Sequence, residues 1–517
     1  MTKRVAVVGA GCSGVLVCNE LSEHCKSAGI SEIVLYEGSG RFGPGLPYGE
    51  DSTDDVFILN MAAALLGVDT SEPDGFLQWL IEQAHLPSVS ANDYVPRRKM
   101  GEYLSAQLQV AAQRMKAQGM SLRMMASEVV NLERAPGGYR VHTSDGSEIF
   151  NNVVLAVGHL RKRTPFPNSD RYFANPYHEL RQMRARIGPG ARVGILGTKL
   201  TAIDMSILMD SIEVGEIHIY SNSGRLPLVR GVIPTAPPSI EHGKLPPDSI
   251  AGFLRWFRRL HTYESEYKGF LGHLDPASRL NHEIQAASRV RDWQLWLDAT
   301  KTHIDRYWQQ LDSNQKRRFY RKYQGLWMSY RHPMPIENAR KIKAMLQKGN
   351  LSIHGGYKAT RLGRDGTIFV DVKDGTLTLD YAIDATGFSG NLARLDAPLI
   401  ERLLDQALIK QCPHGGIAVD PTTFMVDGES GLYALGPLTQ GSLFYVSAIE
   451  RLSLHAKTIA SHLATHTPPG VIGASTTHSS AYADQKHLVD SATQPAQIQR
   501  SAQGHELLSP VAFTLPE

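Results

Sequence analysis

Short apolar runs that end at glycine recur along this chain, and each gives way to a stretch of different period. Residues 4–8, RVAVV, are apolar and β-branched, GAGCSG (9–14) follows at once, and VLVCNELSEHC then spaces its apolar residues for a helix. The pattern predicts strand, glycine turn, helix. Further strands are expected at EIVLYE (32–37) and at NNVVLAVGH (151–159), the latter closing in a small-residue turn at Gly158. The succession restarts at ARVGILG (191–197) and EIHIYSNSG (216–224), and TLDYAIDATGFSG (378–390) repeats the strand-to-glycine ending with Asp384, Thr386 and Gly387. Between residues 248 and 348 the period becomes helical. Ile250, Phe253, Leu254, Phe257 and Leu260 fall on one face, and Trp293, Trp296, Leu297, Ile304, Trp308 and Leu311 continue the pattern. Such stripes read as core rather than as a cofactor box.

These elements predict an α/β fold with two dinucleotide-binding domains. A Rossmann-like first unit, residues 1–170 and 371–465, is interrupted by a second nucleotide-binding-like unit, 171–247 and 349–370, which carries a helical insertion at 248–348. From 466 to 517 the chain turns to Thr, His, Ser, Gln and Pro with few large apolar residues, a tail that is mobile or folds over the surface. The length of 517 residues agrees with more than one domain.

Composition narrows the class. With 42% hydrophobic and 20% charged residues and a net charge of +3, the chain reads as an ordinary soluble protein without a polyanion partner. The basic run KRRFYRK (316–322) is then a solvated helix face rather than a nucleic-acid contact. Cys12, Cys18, Cys25 and Cys412 show neither C-x-x-C pairing nor zinc spacing, which implies reduced thiols and no metal site. MTKRVAVVGAG passes straight into a strand, and no apolar run approaches the roughly 20 residues that span a bilayer. A cytoplasmic location without membrane contact is expected, and homo-oligomerisation is left open.

The first turn carries the clearest chemistry. Gly9, Gly11 and Gly14 stand in G-x-G-x-x-G register. The first makes the tight turn, the second lets backbone approach a pyrophosphate, and the third lets helix and strand pack closely. Glu37, at the end of the second strand, is placed to accept hydrogen bonds from a ribose, which favours FAD or NAD over NADP. A glycine-rich turn without a ligand is the alternative. Cys12 and Cys18 are read as packing residues. Strands that end at a glycine beside a dinucleotide, as at Gly158 and Gly387, recur in two-dinucleotide flavoproteins.

Seven stretches run in order from residue 9 to 450: GAGCSG, GPGLPYG, FILNMAA, YVPRRKMGEYL, GTKLTAID, MSYRHPMP and LGPLTQGSLFYVSAIE. On these the chain resembles bacterial FAD/NAD(P)-binding flavoproteins related to the N-hydroxylating flavin monooxygenases, among them aspartate N-hydroxylases that make nitrosuccinate. The resemblance implies FAD at the first site, with the flavin near the Gly43–Gly49 loop, Asn60 and the Gly436–Gly441 turn. The cofactor-binding set is then Gly9, Gly11, Cys12, Ser13, Gly14, Glu37, Gly45, Tyr48, Asn60, Arg98, Val129, Gly158, Gly436, Thr439 and Ser442. Asn60 is the candidate polar contact at the flavin, against a role capping a turn. Arg331 and His332 are candidates for substrate anchoring or proton transfer, against a structural loop after a helix. Arg97 and Arg98 are candidates for flavin phosphate or a substrate carboxylate, against surface charges.

In N-hydroxylating relatives the second unit binds NADPH through a middle glycine and an arginine after the second strand. Here the turn reads Gly197, Thr198, Lys199, Ala202, with Lys199 where that glycine belongs and Asn222 where the arginine would stand. Three readings compete: Lys199 holds phosphate with help from Arg225 or Arg230; the site is vestigial, its lysine paired with a neighbour or solvent; or NADH replaces NADPH. Two independent losses argue against ordinary NADPH use.

The leading expectation is an FAD-dependent monooxygenase that N-hydroxylates a small amine or amino-acid-like substrate with O₂, in a biosynthetic setting. The resemblance implies a C4a-hydroperoxyflavin whose distal oxygen a nucleophile attacks. The alternatives are a nicotinamide-independent oxidase or dehydrogenase reduced by its own substrate, and a non-catalytic flavin-binding sensor or partner-binding protein.

Overall fold

Continuous runs of Val, Ile and Leu suit strands covered on both faces, and that is where the first run sits. In the computed structural model, which describes residues 2–69, 71–233, 249–260 and 275–466, Lys3–Val8 is the middle strand of a five-stranded sheet. Its order is Leu432–Ala434, Asn152–Leu155, Lys3–Val8, Ile30–Tyr36, Ser121–Met125, and every pairing is parallel. A second five-stranded parallel sheet runs Leu351–His354, Glu216–Tyr220, Arg192–Leu196, Tyr381–Asp384, Tyr172–Phe173. In both, the strand that enters the glycine turn is central and the strand after the next helix lies beside it. The likeness extends further. Each unit inserts a three-stranded antiparallel sheet between two strands of its parallel sheet, at 129–150 before Asn152–Leu155 in the first and at 359–379 before Tyr381–Asp384 in the second.

Two expected boundaries move. The Tyr381–Asp384 strand, expected in the first unit, pairs with Arg192–Leu196 in the second sheet, because Ala382 and Ile383 are buried among that sheet's core. The chain rejoins the first unit with Leu392, Leu395 and Ile400, which pack beneath its strands. The Ile336–Lys348 helix, expected in the insertion, buries Ala339, Ile342 and Met345 on the second sheet. The insertion's apolar stripe is core, as expected: Ile250 and Leu254 pack with Trp308, Leu311 and Phe319. Phe257 and Leu260 of that stripe, and the tail after 466, lie outside the described side chains. Trp308 donates its indole N–H to the carbonyl of Gly441 at 3.1 Å, tying the insertion to the first unit. In KRRFYRK only Phe319 is buried, while Arg317, Arg318, Arg321 and Lys322 are exposed. Among the described residues no helix is long and apolar enough to cross a membrane, and all four cysteines are free.

The two units are joined by a buried ion pair. Arg97, at the start of the Arg97–Ala117 helix, donates to Asp204 at 2.6 Å, to the Tyr177 hydroxyl at 3.1 Å and to the Ile58 carbonyl at 3.2 Å. Tyr177 also donates to Asp204 at 2.7 Å, and the guanidinium lies against the rings of both Phe57 and Tyr177. Asp204 belongs to the Leu200–Ser211 helix of the second unit. Burial pushes the Asp204 carboxyl up even against the Arg97 charge. Arg97 therefore holds neither flavin phosphate nor substrate, and is no surface charge.

Removing one partner of such a pair strands the other in low dielectric, at a cost of about 3–5 kcal/mol. Arg97→Met should lower the urea stability by that amount. Arg97→Met with Asp204→Leu should recover part of it, because no uncompensated charge is then left; a double variant as unstable as the single one would contradict the assignment.

Candidate functional site

The central strand of the first sheet ends at Gly9, whose φ of +102° suits glycine. A Cβ there would stand 2.5 Å from the Ala156 carbonyl oxygen, so the turn presses against the end of the neighbouring strand. Gly14 serves from behind: a Cβ on it would collide with the Gly9 carbonyl, so it brings helix and strand together and does not line the cleft. Gly11 begins the Cys12–His24 helix without a side-chain cap, leaving its first N–H groups for a ligand. A Cβ on Gly45 would stand 2.8 Å from the Gly11 Cα, and the Gly43 amide donates to the Ala10 carbonyl at 2.8 Å, so GPGLPYG folds down over the turn.

These elements enclose a cleft of about 690 Å³, a volume suited to a dinucleotide. Gly9, Gly11, Cys12, Ser13, Glu37, Gly45, Tyr48, Val129 and Gly158 all line it. Glu37 is held by the Ala10 amide at 3.1 Å and by Ser39, with lone pairs left for ribose hydroxyls. Burial pushes the Cys12 and Cys18 thiols up to about 12, which keeps both protonated; Cys18 is a packing group, and Cys12 also faces the cleft. Besides Gly14, five expected contacts lie outside the lining. Arg98 is half-exposed and pairs with Asp55 and Glu102. Thr439 bonds back to the Gly436 carbonyl at 2.8 Å, and the Ser442 hydroxyl joins Val419 to Ile417. Asn60 is half-buried outside the lining. Gly436 reaches the cleft indirectly: a Cβ on it would stand 2.7 Å from the Ser13 hydroxyl, and Pro437 lines the wall.

The second turn copies the first. A Cβ on Gly197 would stand 2.6 Å from the Ala385 carbonyl oxygen, as Gly9 does toward Ala156. Lys199 begins its helix in the same extended backbone (φ −103°, ψ −167°) as Gly11 (φ −76°, ψ −169°). Ala202, fully buried, takes the place of Gly14. Register also puts Ser221 where Glu37 stands, and its hydroxyl bonds to Thr198 at 3.1 Å and accepts the Gly224 amide. The Lys199 ammonium donates to the Arg225 carbonyl at 2.9 Å and to the Ser329 hydroxyl. Burial, with the Arg225 charge second, lowers its pKa to about 8. Asn222 is exposed. Arg230 does not stand in for the missing arginine; it is buried elsewhere, and Arg225 is exposed.

Arg331 and His332 lie in a buried charged cluster that sequence pattern does not bring together. Val229 and Met334 form a parallel bridge, the Arg230 amide donating to Met334 at 2.9 Å and the Met334 amide to Leu228 at 2.8 Å. Gln294 donates to the Val229 carbonyl and accepts the Gly231 amide, which docks the Asp292–Ala299 helix. Arg230 and Arg331 thereby face Asp298, at 3.9 and 3.8 Å. Lys301 and Glu450 complete the group. Burial and the nearby charges of Arg331, Arg230 and Lys301 push His332 down to about 3, so at neutral pH it is an uncharged imidazole and no acid.

Residues 6–160 match the model of the FAD-NAD(P)-binding family. No curated protein matches the chain by sequence. Among solved structures, the reduced form of ornithine hydroxylase from Pseudomonas aeruginosa is 14% identical with a TM-score of 0.54, and covers 90% of this chain and 99% of its own. The ornithine N-hydroxylase of Kutzneria sp. 744, with reduced FAD, NADP⁺ and L-ornithine, is 16% identical with a TM-score of 0.53 over the same shares. The FAD-bound cadaverine monooxygenase of Erwinia amylovora is 12% identical with a TM-score of 0.51, covering 93% of this chain and 99% of its own. Residues 6–160 are thus an FAD-NAD(P)-binding domain, within a chain that has the two-dinucleotide-domain fold of these hydroxylases and monooxygenases.

Proposed function

We propose that the chain is an FAD-dependent monooxygenase that hydroxylates the nitrogen of a small amine or amino acid. The observation that carries this is the glycine-cradled cleft, joined to a buried polar cluster by the segment that leads into the Ile449–Thr465 helix: Ser447 and Leu452 line the cleft, and Glu450 between them belongs to the cluster. Bound FAD would supply the redox chemistry and oxygen activation. The chain's part is to bind and orient. Gly9 and Gly11 admit the pyrophosphate to backbone N–H groups at the Cys12–His24 helix start, and Glu37 accepts from ribose hydroxyls. Gly45–Tyr48 lies over the turn and limits the access of water.

In this reading the second site is degenerate. The Lys199 side chain runs from the helix start to the loop after the second strand and on to the insertion, across the gap that a nicotinamide dinucleotide would occupy. That favours a second reading, in which the substrate itself reduces FAD. Hydrogen peroxide formed in step with substrate, without NAD(P)H, would select it; hydroxylamine product with NAD(P)H consumption selects the monooxygenase.

Purified protein should be yellow and release FAD on denaturation. Gly11→Val should be colourless, because its branched side chain would meet Gly45 and the pyrophosphate path. Full flavin content in that variant, judged by absorbance, would displace the cofactor from this turn. Anaerobic mixing tests the second site. NADPH should bleach wild-type flavin slowly. Lys199→Gly should speed reduction, and adding Asn222→Arg should raise it about ten- to a hundredfold more, the worth of one charge-assisted phosphate pair. Fast, saturable wild-type reduction abolished by Lys199→Gly would show instead that the lysine holds phosphate.

A further inference from the structure

The five charged groups Arg230, Asp298, Lys301, Arg331 and Glu450 are not paired in the way this protein pairs its structural ions. Arg291 meets Glu283 at 2.7 Å and Arg97 meets Asp204 at 2.6 Å. Within the cluster the separations are 3.3 Å (Lys301 to Asp298 and to Glu450), 3.7 Å (Arg331 to Glu450), 3.8 Å (Arg331 to Asp298) and 3.9 Å (Arg230 to Asp298). Charge-assisted bonds close to about 2.7–2.9 Å, so these groups face one another without closing. The Arg230 Nε, the Arg331 Nη2 and both Glu450 oxygens are buried and have no hydrogen-bond partner. Arg230 and Arg331 are each only 4% exposed. The Arg331 guanidinium lies over the Tyr445 ring, 4.4 Å from its centre, a contact that holds it in place. Buried polar groups without partners are costly; a carboxylate would accept from the open Arg230 and Arg331 N–H groups, and an ammonium would donate to the open Glu450 oxygens.

We infer that this cluster is the substrate's charged subsite, in which Arg331 and Arg230 take a carboxylate and Glu450 takes an ammonium group of the same small molecule. The inference rests on the reading of the neighbouring cleft as the FAD site. It makes the substrate an α-amino acid rather than a plain amine, because the 3.7 Å between Arg331 and Glu450 sets the two recognised groups side by side. Asp298 and Lys301 act as positioning residues: Asp298 faces both arginines, and Lys301 lies against both Asp298 and Glu450.

The test is ligand binding to the oxidised flavin-loaded protein, without NADPH or turnover, read by thermal shift and by perturbation of the flavin spectrum. The probes are L-aspartate, L-ornithine, succinate and cadaverine. At least one amino acid should bind, at least tenfold more tightly than cadaverine. Arg331→Gln should weaken it at least tenfold with flavin content unchanged. Glu450→Gln should narrow the preference for L-aspartate over succinate, its counterpart without the amine. Lys301→Met, at the cluster's edge, provides the same check if Arg331→Gln fails to fold. Cadaverine binding as tightly as the amino acids, no probe binding to the holoprotein, or unchanged affinity in a folded Arg331→Gln or Lys301→Met would overturn the assignment. Protein that carries no flavin would instead overturn the reading of the cleft, a distinct outcome.

Discussion

A guanidinium in the protein interior must be surrounded by acceptors, and meeting that demand at Arg97 brings the two halves of the molecule together. Its partners come from three places: Ile58 in the segment after the GPGLPYG loop, Tyr177 in the crossing between units, and Asp204 on the helix that opens the second site. Two segments, FILNMAA and YVPRRKMGEYL, are held side by side to deliver it, with the Leu59 amide donating to Val95 and the Arg97 amide to Phe57, each at 2.9 Å. Since a buried ion pair tolerates little separation of its partners, this contact holds the start of the Arg97–Ala117 helix against the Leu200–Ser211 helix of the second unit.

The two turns then show how one backbone device is kept while its chemistry changes. Gly9 and Gly197 press on equivalent carbonyls, Ala156 and Ala385, and Gly11 and Lys199 share an extended backbone. Nothing in the fold of the second turn requires a glycine at position 199, because that backbone is open to any residue. The glycine of such a turn is needed for the ligand's approach, so replacing it changes binding while leaving the fold intact. Lys199 instead anchors the insertion through Ser329.

The insertion in turn sets the charged cluster. Four segments distant in sequence meet there: the loop after the second strand, the Asp292–Ala299 helix, the MSYRHPMP turn and the first turn of the Ile449–Thr465 helix. A two-residue bridge and the bonds of Gln294 and Arg291 to the Val229 carbonyl set their spacing. The same region supplies tightly closed and open ion pairs, so the open ones are not a consequence of poor packing.

Much of the fold was legible along the chain because its signals are local. A glycine turn needs positive φ and close approach at particular residues, and a doubly covered strand needs unbroken apolar runs, so Gly9, Gly11, Gly14, Glu37 and both nucleotide units could be read directly. The aromatic stripe of the insertion was core for the same reason. What the chain alone did not carry was decided between distant segments. Tyr381–Asp384 has the same apolar ending as Asn152–Leu155, and only pairing with Arg192–Leu196 assigns it to the second sheet. Arg97 and Arg98 are neighbours of one type; one is buried on Asp204 and the other lies near solvent, because the helix start turns only Arg97 inward. For Lys199 the chain alone favoured a neighbour or solvent over phosphate without naming the partner, and the position of Ser329, 130 residues away, supplied it. Asp298 and Glu450 carried no sequence signal at all, since a carboxylate's role depends on which cations the fold sets around it.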